Sequence, residues 1–485
     1  MTVCRTPNFL LLVCLLWIGF AARLDAQVQK PNILLILADD MGYGDLGCMG
    51  SMKLKTPQID ALRKSGVLCS QAYVCSPVCS PSRAGLITGR DPRRFGYEGN
   101  LNAAAKNYAT RPELLGLPLG EHTLGDHLKA AGYRTSLVGK WHLGTGAGFH
   151  PNKRGFEYFC GMLVGSHSYF PKPNQHKIER NGKPVEEFSS PYLTDFFTDE
   201  AVRLIESYEE QDDQPWFMYL SYNAPHGPMH ATEEDIKRFA HIEDPKRRIY
   251  AAMMFALDRG VGRVTQALEK HGERDQTLIC FFSDNGGATN NASWNGPLSG
   301  TKGNLREGGI RVPMIWSHPG TYPQGETCHQ IVSSLDLLPT FLAAAGSEPL
   351  ELSPPRSHED KRNRKRIVAK YGHYDGIDLE KAFTKGKKID RRLFFRLQGQ
   401  KAVIDGERKL IVPSHRPPQF FLPAKDPGET TDLFDKRRST ITEIFQTLGE
   451  WESMLPTVPL WGSSPFWSGQ SAKGYDNYPV RPEPR

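Results

Sequence analysis

Residues 31–40 read PNILLILADD, and this stretch decides the fold class. The run 31–38 is apolar without alternation, the pattern of a strand covered on both faces and so of a parallel sheet inside an α/β protein. It ends in Asp39 and Asp40. Open α/β sheets bind ligands just beyond the carboxyl ends of their strands. Two adjacent carboxylates repel one another there unless a hard divalent cation lies between them, although either alone could be a turn or helix-cap acid.

Working outward, other buried runs end the same way. Residues 133–139 read as a strand that delivers Lys140-Trp141-His142. Lys140 and His142 project to one side if the chain stays extended, a cation for an anionic group beside a proton acceptor. Taken singly, Lys140 could be a surface residue and His142 a satisfied hydrogen-bonder. Residues 215–222, PWFMYLSY, lead to His226 between Pro225 and Pro228, and residues 276–283, QTLICFFS, lead to Asp284 and Asn285. Asp and Asn oxygens are hard donors suited to Ca²⁺ or Mg²⁺. Helices are predicted at 56–66 (Thr56 as cap, Pro57 first), 120–132, 195–209, 244–271 and 333–346. Residues 145–192 are irregular; His150, Arg154, His167, Tyr169, His176 and Lys177 read as a substrate-facing loop. From 391 on, short alternating runs predict an antiparallel sheet, followed by a helix near 439–454.

A second stretch, 79–90, reads CSPSRAGLITGR. Pro81 suits the first turn of a helix, which puts Cys79 at a helix N-terminus with Arg83 one turn on. Dipole and guanidinium there favour an anion, so Cys79 is expected to be reactive. The alternative is a buried or disulfide-bonded cysteine beside a turn.

Composition narrows the class. With 39% hydrophobic and 24% charged residues, the chain of 485 is an ordinary globular protein, long enough for one large domain and a smaller one. Residues 1–26 carry Arg5 and an apolar run, FLLLVCLLWIGF, of signal-peptide length, so export is expected. No later segment is apolar enough for stable membrane insertion. The net charge of +6 could favour a polyanionic substrate, but no nucleic-acid motif accompanies it. The cysteines after residue 26 are scattered, with no zinc spacing, and a Cys75–Cys79 bridge is not expected. Asn291-Ala292-Ser293 is a glycosylation sequon, without meaning if the source is bacterial, and Glu307 and Arg311 could belong to the site or equally be a structural ion pair.

CSPSRAGLITGR resembles the signature of the type I, formylglycine-dependent sulfatases of the alkaline phosphatase superfamily. DDMGYGD (39–45), GKWHLG (139–144), APHGP (224–228), DNGG (284–287), GTKG (300–303) and DLLPT (336–340) resemble further elements of that family, in its order. The resemblance implies an α/β fold with a large mixed central sheet sandwiched by helices and a smaller C-terminal α+β subdomain containing an antiparallel sheet. The implied organisation is a signal peptide at 1–26, a catalytic domain at 27–346, a charged link at 347–374 and a C-terminal subdomain at 375–485. It also implies sulfuric ester hydrolysis: Cys79 is oxidised to formylglycine (3-oxoalanine) by a formylglycine-generating or sulfatase-maturating enzyme, its hydrate attacks sulfur, and its second oxygen then expels sulfate. Asp39, Asp40, Asp284, Asn285 and residue 79 would hold one Ca²⁺, in preference to Mg²⁺. Arg83 would hold the hydrate; Lys140, His226 and Lys302 would bind sulfate, with His226 or Lys302 protonating the leaving alcohol; His142 would take the proton that starts elimination. The expected substrate is a sulfated glycan met in a periplasm, outside the cell, or in a lysosome if the source is an animal. The alternatives are a phosphodiester or phosphonate ester hydrolase on the same scaffold and a non-catalytic binder of sulfated glycans.

Overall fold

The computed structural model describes residues 30–101, 115–172, 176–209, 214–352, 373–456, 480 and 482–484. The expected signal segment, most of the charged link and most of the tail beyond 455 lie outside the described residues.

Ten described strands make one mixed sheet: β1 (Asn32–Ala38), β2 (Val67–Tyr73), β3 (Arg134–Lys140), β4 (Tyr158–Met162), β5 (Glu179–Arg180), β6 (Lys183–Pro184), β7 (Trp216–Ser221), β8 (Thr277–Ser283), β9 (Arg311–Ser317) and β10 (Glu326–Ser333). Their order in space is β10-β2-β9-β8-β1-β7-β3-β4-β5-β6. The four strands the sequence pattern marks as buried, β8, β1, β7 and β3, are neighbours and mutually parallel. Antiparallel strands flank them: β9 runs against β8 and β2, and β5 and β6 form a short hairpin at the far edge.

The unbroken apolar run of β1 has a direct cause. Ile33, Leu35 and Leu37 enter the core on one face; Leu34, Ile36 and Ala38 enter the core on the other. Both faces are covered, and each large buried side chain contributes about 1.5–3 kcal/mol relative to exposure. Helices α1 (Pro57–Lys64), α4 (Leu193–Glu209) and α5 (Pro245–Lys270) cover the second face, through residues such as Ile59, Phe197 and Leu257. Helices α2 (Cys79–Thr88), α3 (Leu124–Ala130) and α6 (Leu337–Ala344) cover the first.

A separate antiparallel sheet, β11 (Arg392–Leu397), β12 (Gln400–Asp405), β13 (Arg408–Val412) and β14 (Gln419–Phe421), packs on that first face as well. Alternation works here as the sequence indicates: Ala402 and Ile404 join the main core, while Val403 faces α7 (Arg438–Ser453) and its Ile441, Ile444 and Trp451.

Several local expectations change. Thr56 does not cap α1 through its side chain; Asp258, on α5, accepts from the N–H groups of Gln58 and Ile59 instead. The predicted helix at 120–132 begins only at Leu124, where Thr123 and Asp126 form a capping box. Arg154, read as substrate-facing, is buried and donates to the carbonyls of Leu117, Pro118 and Glu121. Glu307 and Arg311 do pair, at 3.2 Å.

Candidate active site

The parallel strands deliver their loops to one edge of the sheet, and the backbone carries the register past the strand ends. Asp284 N–H donates to Ala38 O and Asp39 N–H to Ala224 O, each at 3.0 Å. Asp39-Asp40, Asp284-Asn285, Lys140 and the His226 loop are thereby brought side by side. Asp40 sits at φ 64°, a left-handed conformation that costs a non-glycine residue about 1 kcal/mol or more. It is held there from two directions. Asn285 Nδ2 donates to Asp40 Oδ1 at 2.7 Å, and Asn291 Nδ2 donates to the carbonyls of Asp40 (3.1 Å) and Pro225 (3.2 Å).

Cys79 is the first residue of α2, as the position of Pro81 predicts. Gly89 ends the helix at φ 63°. Gly85 is required because a Cβ there would lie 2.3 Å from Cys75 Sγ. Ser80, next to Cys79, is fixed by contacts to Tyr97 Oη (2.6 Å) and His142 O (2.7 Å). Cys79 Sγ lies 3.5 Å from Asp39 Oδ1, 3.8 Å from Asp40 Oδ1 and 3.0 Å from Lys302 Nζ.

Three buried cations face three buried carboxylates around it. Lys140 Nζ meets Asp39 Oδ2 at 2.5 Å, and Lys302 Nζ meets Asp40 Oδ1 at 2.6 Å. Arg83 meets Asp284 Oδ2 at 2.8 Å, reaches toward Asp39 at 3.8 Å and donates to Ser221 Oγ and Lys140 O. Its bonds go to these groups and not to residue 79 itself. His226 Nε2 is 3.6 Å from Asp40 Oδ2, and its Nδ1 lies against Gly227 O at 2.5 Å.

These contacts set the protonation pattern. Burial works against ionised Asp40, but Lys302 and His226 outweigh it and hold the carboxyl well below the usual range. Asp284 is pushed the other way, to about 6, by burial and then by Asp39. Burial opposes the Lys302 ammonium too; Asp40 reverses that and raises its pKa. His226 is pulled down to about 4, by burial first. The Cys79 thiol is raised by burial, against the pull of Lys140 and Lys302. This runs against the expectation of a reactive thiol: burial and the facing Asp284 and Asp39 favour the protonated cysteine over the pull of Lys140 and Lys302.

The amino-acid pattern now has counterparts among known proteins. The sulfatase family model matches residues 31–347. Mouse N-acetylgalactosamine-6-sulfatase is 35% identical over 412 residues, covering 81% of this chain and 74% of that protein. Human arylsulfatase A is 31% identical over 501 residues, covering 95% of this chain and 94% of that protein. The chain belongs to the sulfatase family. Its structure superposes on that of Ps i-CgsB in complex with k-i-k-neocarrahexaose, with a TM-score of 0.80, 35% identity, and coverage of 90% of this chain and 96% of that one. The fold is alkaline phosphatase-like, and this sulfatase is a sulfuric ester hydrolase.

The sulfatase's acidic pocket has the chemistry of a hard-cation site. Ligating atoms of Asp39, Asp40, Cys79 and His226 all lie within 4.8 Å of one another. Asn285 Oδ1 is buried without a hydrogen-bond partner among the described residues, an orphaned oxygen next to Asp40. Carboxylate and amide oxygens in a buried cluster suit Ca²⁺ or Mg²⁺.

Not every expected residue converges as pictured. His142 has φ 59°, so the chain does not stay extended after Lys140, and the two side chains part. Lys140 turns to Asp39; the His142 ring is buried against Gly165, where a Cβ would lie 2.6 Å from Nε2. Its pKa is well below the ordinary value, by burial and then by Lys140 and Arg83, and its Nδ1 has no partner among the described residues. Asn291, read as a glycosylation sequon, is fully buried under Asp40, which corrects that expectation. Ser221, at the end of β7, bridges Arg83 and Lys140 O and carried no signal in the sequence beyond its place at a strand end.

Proposed function

We propose that this sulfatase releases sulfate from an ester on a carbohydrate chain, through a 3-oxoalanine formed from Cys79 and a Ca²⁺ ion held by Asp39, Asp40, Asp284, Asn285 and residue 79. The observation that carries the reading is the surroundings of Cys79: a helix N-terminus, the Lys302 ammonium at 3.0 Å and two cation-binding carboxylates within 3.8 Å. A thiol that burial keeps protonated is poorly placed as a nucleophile there, whereas an aldehyde hydrate supplies an oxygen nucleophile that regenerates at each turnover. A bound divalent cation would polarise the sulfate and make the attacking hydroxyl more acidic.

The chain's own residues do the rest. Lys140, Lys302 and His226 surround the place of the sulfate and offset charge on its oxygens. Lys302, whose ammonium Asp40 favours, or a His226 that gains a proton when the anion binds, gives the leaving alcohol its proton. Arg83 holds the hydrate at residue 79 and offsets its charge, its guanidinium fixed there by Asp284 and Asp39. His142, whose ring is buried against Gly165 and held neutral, is given by the family resemblance the task of accepting the proton that starts elimination of sulfate.

A carbohydrate substrate is supported by relatives named for N-acetylgalactosamine 6-sulfate and complexed with a carrahexaose. Export before or after oxidation by a maturating enzyme is supported by the composition of residues 1–26, and no described helix is long and apolar enough to cross a membrane. The separate small sheet, with a core of its own against α7 on one face and the main core on the other, supports a catalytic domain at 27–346 and a C-terminal subdomain at 375–485, joined through 347–374.

The test is sulfate release from 4-nitrophenyl sulfate by protein matured in its native host. Activity should vanish in Cys79→Ala, fall on chelation and return with Ca²⁺. Faster turnover of the matching phosphonate or phosphodiester would favour the rival hydrolase. Saturable binding of a sulfated glycan with no release would favour the binding protein.

A further inference from the structure

The segment 165–170 touches both active-site histidines. At its start, Gly165 lies against the His142 ring, closely enough that any side chain would collide. Near its end, the Tyr169 hydroxyl donates to Asn223 O (2.5 Å) and His226 O (2.9 Å), fastening the segment to the His226 loop. The segment therefore forms part of the wall of the reaction centre. Tyr169, which the sequence reading offered as a substrate contact, is buried and does this structural work.

The next residue does the opposite. Phe170 is 39% exposed, although a phenylalanine ring gains nothing from water. Single exposed apolar residues are ordinary, so position and support must distinguish this one. Its ring is braced from behind by Tyr192, with centroids 5.4 Å apart, and flanked by His230 at 6.2 Å. Tyr192 is buried and stacked on Tyr169 at 5.6 Å, which locks the brace to the catalytic wall. Ser168 and His230, 3.5 Å apart, place polar groups beside the ring. An exposed aromatic ring packed on two neighbouring rings, with hydrogen-bonding groups at its edge, matches a pyranose: apolar C–H groups on one face and hydroxyls around the rim.

We propose that Phe170, braced by Tyr192 and flanked by Ser168 and His230, is the platform on which a sugar ring of the substrate stacks beside the reaction centre. This rests on the reading of the substrate as a carbohydrate and adds where a ring of it lies.

The experiment is titration calorimetry of k-i-k-neocarrahexaose into the encoded thiol form, which does not turn substrate over, so the result is independent of maturation and catalysis. Phe170→Ala should weaken binding by roughly tenfold, the size of one good aromatic contact. Phe170→Leu, which keeps apolar bulk without a flat face, should weaken it nearly as much. Phe170→Trp should bind within about threefold of the parent. Equal affinity in parent and Phe170→Ala, full binding by Phe170→Leu, or no binding by the parent would each overturn the platform. None of these results would touch the sulfatase mechanism, which is read by sulfate release.

Discussion

Replacing Lys409 with methionine should unfold the link between the two sheets. Lys409, on β13, is fully buried. Its Nζ meets Glu307 Oε1 at 2.7 Å and Glu429 Oε1 at 2.9 Å. Glu307 has other support, from Tyr73 Oη at 2.8 Å and Arg311 at 3.2 Å. Glu429 keeps neutral donors on Oε2, from Ser299 Oγ at 3.0 Å and Glu307 N–H at 2.8 Å, and the weaker pull of Arg306, which bonds its backbone carbonyl, while Oε1 loses Lys409. Breaking a buried pair from one side costs about 3–5 kcal/mol, because the charge left behind is not solvated. The cost should depend on pH. Burial already raises the Glu429 pKa, with Lys409 as the main opposing influence, so removing Lys409 raises it further. A carboxyl raised in the folded state contributes stability below its unfolded pKa and loses it as pH rises through the folded value. The Lys409→Met deficit should therefore be smallest near ~pH 5 and largest near ~pH 8, and Lys409→Met/Glu429→Gln should recover most of it. Equilibrium urea unfolding, read as midpoint at constant slope, measures this. A loss below about 1 kcal/mol at ~pH 8, or one that does not vary with pH, would show that Lys409 does not neutralise a buried, charged Glu429.

Two further outcomes follow from the site. Asn291→Ala removes both donors that hold the Asp40 and Pro225 carbonyls; stability should fall by about 1–3 kcal/mol and the midpoint for Ca²⁺ reactivation should rise, while secretion from a eukaryotic host should leave Asn291 of the parent free of glycan. His142→Ala should slow sulfate release by about 10²–10⁴-fold with sulfate covalently retained on the protein, as mass spectrometry would detect; normal turnover would remove His142 from its role.

How far the sequence could be read depends on the range of the interaction involved. β1, β7 and β8 were legible because burial on both faces writes an unbroken apolar run, and the polar residues after each run follow from where a parallel sheet must end. Asp39, Asp40, Asp284, Asn285, Cys79 and Lys302 came with short local motifs. What was not legible depends on partners far apart in the chain. Asp258 caps α1 across 200 residues of sequence, and Asn291 holds Asp40 across 251. A sequon pattern cannot report that its asparagine is buried. The parting of Lys140 and His142 turns on one left-handed residue, which nothing in G-K-W-H-L-G requires of a histidine. The thiol follows the same rule: dipole and arginine are visible in the sequence, the burial that works against the thiolate is not.

The proposed chemistry turns on the identity of the group at position 79. Tryptic cleavage after Lys64 and Arg83 isolates a peptide carrying Cys69, Cys75 and Cys79. In protein from the native host, its mass should be about 18 Da below that of the encoded peptide, with two alkylatable thiols in place of three and an aldehyde that reacts with a hydrazine probe. A peptide of the encoded mass with three thiols, from protein that nonetheless releases sulfate, would contradict the account.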